Sequence, residues 1–158
     1  MSLFNLSDKV YAVTGASGAL AGKAAQYLAE NGARVAFISR NQSKLDLAVK
    51  DLGPEVATFT CDVTDRKALK TSFDLILQRF GHIDGLINGA GGNMPGATIS
   101  PDMSVFDLDF NDYEKVLQLT LSGTLLPSLV FGEYFAERKQ GAIVNFSSAS
   151  SQQALTRV

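Results

Sequence analysis

Cysteine occurs once in this chain, and so does histidine. Cys61 alone cannot close an internal disulfide, and with His82 it offers no zinc-type spacing, so no metal site is expected. A single thiol suits a reducing compartment, and the expected location is cytoplasmic. Cys61 itself reads as a small buried residue at a strand end. Neither sign of charge is in excess: 14 Lys and Arg against 16 Asp and Glu leave a net −2. That balance gives no electrostatic footprint for nucleic acid or an anionic membrane, and neither is expected as a partner. No apolar run is expected to reach the length of a membrane span. Met1 to Lys9 lacks the basic-then-apolar pattern of a secretion signal. Internal repeats, low-complexity segments and linkers are also absent. The 158 residues therefore read as one domain, 1–158, long enough to bury a core. Apolar residues at 46% against 19% charged make it a globular chain and not a disordered one.

What is present is an alternation of strand-like and helix-like runs. Lys9–Thr14 reads as a strand, Ala19–Asn31 as a helix closed by Gly32, and Arg34–Ser39 as a second strand. Asn41 is placed to cap a helix that Gly53-Pro54 stops. Val56–Thr60 is a third strand, and Thr64 is placed to cap a helix with Leu69, Phe73, Ile76, Leu77 and Phe80 on one stripe. Gly81 ends that helix and Ile83–Asn88 is a fourth strand. A long loop, Gly89 to Phe110, leads to a capping box at Asn111-Asp112-Tyr113-Glu114. The next helix carries Pro127, where a kink is expected, and Gly141 leads into a fifth strand, Ala142–Ser147. Such alternation predicts an α/β fold with a parallel sheet covered on both faces. Right-handed crossovers put the strands in the order 3-2-1-4-5 and a ligand crevice at the carboxyl ends of strands one and four.

The run Val10 to Gly22 carries the most chemistry. A buried strand breaks into a glycine-rich turn and then opens a helix. Glycines let the backbone turn sharply and approach a ligand, and the first helical turn offers unpaired N–H groups to phosphate. The spacing is Thr14-Gly15-x-x-Gly18-x-x-Ala21, with alanine where a third glycine is usual. Alone it is a weak signal, because strand-to-helix turns need glycine for geometry too.

Four motifs in register make the signal specific. Thr14-Gly15-x-x-Gly18 stands at the turn, Asp62-Val63 follows strand three, Asn88-Gly89-Ala90-Gly91 ends strand four, and Asn145-Phe146-Ser147-Ser148 ends strand five. Together they resemble the short-chain dehydrogenase/reductase family over essentially the whole chain. The family's Asn-Asn-Ala-Gly has glycine here at its second place. The resemblance implies a Rossmann-type doubly wound sheet and a nicotinamide dinucleotide. It assigns the cofactor to Gly15, Ser17, Gly18, Leu20, Ser39, Arg40, Asp62, Val63, Asn88, Ala90 and Gly91. It also implies hydride transfer to or from a small-molecule carbonyl or alcohol, and a homo-oligomeric parent. Gly89–Asn93, Phe106–Asp109 and Gly123–Pro127 further resemble the subgroup that interconverts keto and hydroxy sugar acids such as fructuronate and mannonate.

An NAD site normally places an acid at the end of strand two, against the ribose hydroxyls. Ser39 stands there, followed by Arg40. A carboxylate would repel a 2′-phosphate, whereas serine and arginine would accept it. Charge-assisted hydrogen bonds contribute about 1.5–3 kcal/mol, a tenfold to hundredfold preference at about 1.4 kcal/mol per decade. NADP(H) is therefore expected over NAD(H). The competing reading makes Arg40 a solvated residue opening a helix.

In the family a tyrosine moves the proton, a lysine lowers its pKa, a serine holds the substrate oxygen and an asparagine supports a water-linked proton path. Ser148 matches the serine, and Thr120 falls on the asparagine position, counting back from Gly123. Threonine cannot reproduce both groups of an amide. No Tyr-x-x-x-Lys occurs in the 158 residues. The expectation is the cofactor half of a longer reductase, inactive by itself. The alternatives are a non-catalytic dinucleotide-binding module and an unrelated flavodoxin-like domain, the latter disfavoured by Asp62-Val63 and Asn88-x-Ala90-Gly91. The loop Gly92–Phe110 is expected to help choose the substrate. Arg138 and Lys139 read as complements of a helix dipole and not as substrate clamps.

Overall fold

Side-chain periodicity on two adjacent strands explains why the sheet is buried on both faces. In β1 (Val10–Thr14), Val10 and Ala12 join one core while Val13 joins the other. In β2 (Arg34–Ser39), Ala36 and Ile38 face the first core, and Val35 and Phe37 the second. This is the two-residue alternation of a strand with an apolar environment on each side. The computed structural model describes residues 5–148 and residue 152. The first residues of the expected 1–158 domain, and most of those after 148, lie outside the described residues.

Around β1 and β2 the sheet is completed by β3 (Val56–Thr60), β4 (Gly85–Asn88) and β5 (Ala142–Asn145). All pairings are parallel, in the order β3-β2-β1-β4-β5. Helices α1 (Ala19–Glu30) and α2 (Gln42–Val49) cover one face through Ala21, Ala25 and Leu45. The other face is covered by α3 (Arg66–Phe80) and α5 (Gly123–Arg138), through Leu69, Ile76, Phe80, Phe131 and Phe135. Phe73 meets the Phe131 ring edge-on at 5.1 Å between centroids, locking α3 to α5. The fold is thus a three-layer Rossmann-type α/β sandwich.

Helix boundaries differ from the expectation where a neighbouring side chain caps better. Asp65, not Thr64, caps α3: its carboxylate accepts the Lys67 and Ala68 amides, at 2.8 and 3.1 Å. Thr64 is already engaged with Asp62. Helix α4 (Phe110–Leu117) is capped by Asp109, which accepts the Asn111 and Asp112 amides, so the box expected at Asn111 does not form. A capping box sits instead at Ser104–Asp107, on a short 3-10 turn inside the long loop. Strand β4 begins at Gly85 and not Ile83, because Asp84 meets the Val10 amide with its carboxylate. Strand β5 ends at Asn145.

Helix α5 runs through Pro127, and the break from α-helical bonding is a π turn, Gln118–Ser122, between α4 and α5. A π turn of this kind is a recurrent feature of functional sites. Length and composition would allow the continuous Phe110–Arg138 run to cross a membrane, contrary to expectation. In this fold Gly123, Pro127, Phe131 and Phe135 of that run are buried, the two phenylalanines in the core shared with the sheet and α3.

Candidate functional site

The ends of β1 and β4 meet over Thr14. Its buried hydroxyl accepts the Gly89 amide at 3.2 Å and the Ala90 amide at 3.3 Å. Gly15 follows with φ +69°, in the left-handed region that favours glycine. A β-carbon there would lie 2.5 Å from the Gly89 carbonyl oxygen, so the two loops touch backbone to backbone. The Gly18 amide then bonds back to the Gly15 carbonyl at 2.8 Å and opens α1. No side chain caps α1 at Gly18, and its first turn holds no acid. The amides there are left for an outside acceptor.

These loops border a crevice of about 900 Å³. Gly15, Ser17, Gly18 and Leu20 line it from the first turn, and Ser39 and Arg40 from the end of β2. Val63, Ala90 and Gly91 form its middle, and Thr120 and Ser148 its far end. Ser17 and Ser39 hydroxyls share a 2.6 Å hydrogen bond that joins the turn to β2. Among the described residues no carboxylate lines the crevice, whereas Arg40 and Lys44 both do.

Two expected cofactor residues do not line it. Asp62 turns its carboxylate to the Thr64 amide and hydroxyl, at 2.9 and 2.7 Å. Burial resists its charge, but the Thr64 hydrogen bonds and the Arg40 charge prevail and lower its pKa from the ordinary carboxylate value. Asn88 is buried, and its Nδ2 donates to Ser128 Oγ and Asn145 Oδ1, both at 2.8 Å. Asn88 thereby ties β4 to α5 and β5; its Oδ1 has no partner among the described residues.

At the far end Thr120 sits in the π turn and donates its hydroxyl to the Val116 carbonyl at 2.6 Å. Toward the crevice it can only accept. Of the segment Gly92–Phe110 only Gly92 lines the crevice. The rest is held against α4, where the Gly96 amide donates to Asp112 Oδ2 at 3.0 Å and the Asp109 amide to the Gly96 carbonyl at 2.9 Å. Arg138 donates to the Ile83 carbonyl at 2.9 Å, far from any substrate role. Burial raises the Cys61 thiol's pKa, against the Ser72 hydrogen bond, and Asp62 and Asp65 add to the rise, so Cys61 stays protonated although it borders the crevice.

Sequence reasoning gave no site role to Thr14, Lys44 or Thr124. Thr14 and Thr124 stood inside motifs without a role of their own, and Lys44 was visible as the cation four places after Arg40. Thr124 lines the crevice just after the π turn.

An uncapped helix terminus, a glycine turn that a β-carbon would fill and an acid-free crevice at the switch point between β1 and β4 fit a dinucleotide. This is a dinucleotide-binding α/β domain. The short chain dehydrogenase model matches residues 9–158, and the chain belongs to that family. It is 35% identical to the uncharacterized oxidoreductase UxuB of Bacillus subtilis strain 168, covering 98% of this chain and 59% of that protein. A crystal structure described as a "putative D-Mannonate oxidoreductase from Haemophilus influenza", with bound NAD, superposes at a TM-score of 0.88 with 32% identity. That match covers 98% of this chain and 60% of the other. NAD+-bound xylitol dehydrogenase superposes equally, at 0.88, with 29% identity over 98% of this chain and 58% of its own. The chain thus spans about three-fifths of the length of the relatives it matches.

Proposed function

We propose that the whole protein is an NADP(H)-preferring oxidoreductase that moves a hydride between nicotinamide and a carbonyl or hydroxyl substrate, of the keto/hydroxy sugar-acid class. The crevice lining carries the cofactor reading: Ser39, Arg40 and Lys44 without a single carboxylate. The 2′-phosphate of NADP(H) finds donors there, and the acid that would select NAD by its ribose hydroxyls is absent. NAD(H) is the rival, since the two solved relatives hold NAD. Titrating the protein with NADPH and NADH by fluorescence tests this, and tighter NADH binding overturns it.

The cofactor supplies the hydride when bound. Gly15 and the open first turn of α1 hold the pyrophosphate, and Ala90 and Gly91 flank the path toward the far end. There the Ser148 hydroxyl donates to the substrate oxygen, and Thr120 accepts a hydrogen bond from substrate or water. The sugar-acid assignment is supported by the relative described as a D-mannonate oxidoreductase. Following NADPH absorbance with keto sugar acids and simple ketones tests it; turnover of ketones alone would overturn it.

A second reading, a non-catalytic dinucleotide-binding module, is favoured by one observation: the Thr120 proton is spent on the Val116 carbonyl. Residues 1–158 themselves hold no Tyr-x-x-x-Lys. Loss of a positioned acid or base costs about 10²–10⁴ in rate, so these residues by themselves are expected to bind cofactor without turnover. Joining them to a segment that carries the motif separates the readings: continued inactivity favours the module. Exposed Leu117, Leu121, Leu125 and Leu129, at four-residue spacing across α4 and α5, support a homo-oligomeric whole protein. The single cysteine, which leaves no internal disulfide to form, supports a cytoplasmic location.

A further inference from the structure

Beside the crevice lies a second hollow, of about 310 Å³, between α1 and α2. The two share Ser17, Gly18, Ala19 and Lys44, so they adjoin at the end that receives the adenosine ribose. Gln26 closes the back of the hollow by donating to the Ala48 carbonyl at 2.8 Å, which fixes α2 to α1. Gly22 brings α1 against the phosphate turn: a β-carbon there would lie 2.8 Å from the Ala16 carbonyl oxygen. The hollow is thus an open groove at the surface, its floor fixed by these contacts and its two lysines exposed to solvent.

Its charge is one-sided. Lys23 and Lys44 line it and no carboxylate does. Neither lysine forms an ion pair among the described residues. The nearby Asp46 is engaged by Gln42 at 2.6 Å, and the first turns of α1 and α2 hold no acid. Asn41 caps α2 by accepting the Lys44 amide at 2.9 Å, which fixes Lys44 in the first turn, close in sequence to Arg40. At the boundary with the crevice, Ser17 and Ser39 share one hydrogen bond. One of the two protons makes that bond, and the other is left to donate outward. Two ammonium groups, a hydroxyl proton and a guanidinium at the rim form a site for a compact dianion.

We infer that this hollow seats the 2′-phosphate of the coenzyme, with Lys44 as the residue that sets cofactor choice and Lys23 as its second cation. The inference rests on the NADP(H) reading above and deepens it: Arg40 lies at the rim, and the selecting charge comes from between the helices. Lys44 serves both spaces, and so couples occupancy of the hollow to occupancy of the crevice.

Binding of adenosine 2′,5′-bisphosphate and of 5′-AMP to the full chain, measured by calorimetry, tests it. The two ligands differ only in the 2′-phosphate, so 5′-AMP reports the intact fold in every variant. Lys44→Met should weaken the bisphosphate about tenfold to hundredfold while 5′-AMP stays within about twofold. Lys23→Met should give a smaller loss of the same kind, and Lys44→Arg should retain most of the affinity. If Lys44→Met and Lys23→Met leave the ratio of the two ligands unchanged while Arg40→Ala abolishes it, the hollow is not the seat, and the NADP(H) reading survives. If the unaltered protein does not distinguish the two ligands, both fail together.

Discussion

A β-carbon added to Gly89 would lie 2.5 Å from the β-carbon of Ala21. Real β-carbons do not approach so closely, so the two positions cannot both carry side chains. Two of the sequence's departures from its family's pattern are Ala21, where a third glycine is usual, and Gly89, in place of asparagine. The structure makes these one substitution: the methyl gained on α1 occupies the room vacated after β4. Gly89→Ala should then destabilise the protein by about 1–3 kcal/mol, the usual cost of overpacking. In an Ala21→Gly background the same change should cost much less, though not nothing, because the Thr14 carbonyl oxygen lies 3.1 Å from the added carbon. Urea denaturation of the two single variants and the double variant measures the coupling. Additive effects would show that the pair is independent.

The cofactor end yields a sharper test. Ser39 is half-buried, and its hydroxyl lies 2.6 Å from that of Ser17. Ser39→Asp would put a carboxylate at the end of β2, where it repels a 2′-phosphate and accepts the ribose hydroxyls. NADPH should bind about a hundredfold more weakly and NADH more tightly, a reversal read by fluorescence titration. Unchanged selectivity would remove Ser39 from the cofactor site.

How far the sequence foretold this depended on the range of the interaction. The strand order follows from alternation and handedness, which are visible in one dimension, and β3-β2-β1-β4-β5 matches it. Crevice residues that belong to a turn or a strand end, such as Gly15 and Ser39, were legible because their local geometry places them there. The side-chain partners of Asp62 and Asn88 were not legible, because sequence order does not single them out: Thr64 for one, Ser128 and Asn145 for the other. Local competition between adjacent side chains also decided the caps, where Asp65 and Asp109 displaced the expected Thr64 and Asn111. The π turn had no signature beyond Pro127, which lies downstream of it.

Asp62 gives the pH dependence. Its carboxyl has a lowered pKa in the folded protein, set by Thr64 and Arg40 against the opposing effect of burial. The contribution to stability is fully present above the ordinary carboxylate pKa near 3.8 and is lost as pH falls through the folded value. Asp62→Asn should therefore lower the urea midpoint near neutrality, and its gap from the unaltered protein should close below that pH. Thr64→Val should move the Asp62 titration up, as followed by carboxyl NMR. A gap that persists in acid would mean that shape, and not charge, carries the effect.

Asn88 links three elements through one amide, and removing it should be felt in all of them. Its Nδ2 meets Ser128 Oγ on α5 and Asn145 Oδ1 on β5, and its carbonyl accepts the Phe146 amide at 2.9 Å. Asn88→Ala leaves the backbone carbonyl bond to Phe146 intact but removes the donor to Ser128 Oγ and Asn145 Oδ1, a loss of about 0.5–1.5 kcal/mol per hydrogen bond. Asn88→Asp removes the donor and buries a charge beside the neutral Ser128 and Asn145 side chains, so it should cost more than alanine at neutral pH. Because β5 carries the chain to Ser148, hydrogen exchange at Ile143 and Val144 should quicken in both variants, while β2 and β3 stay protected. Uniform loss of protection across the sheet would instead make Asn88 part of the global core, with no particular hold on the strand that presents Ser148.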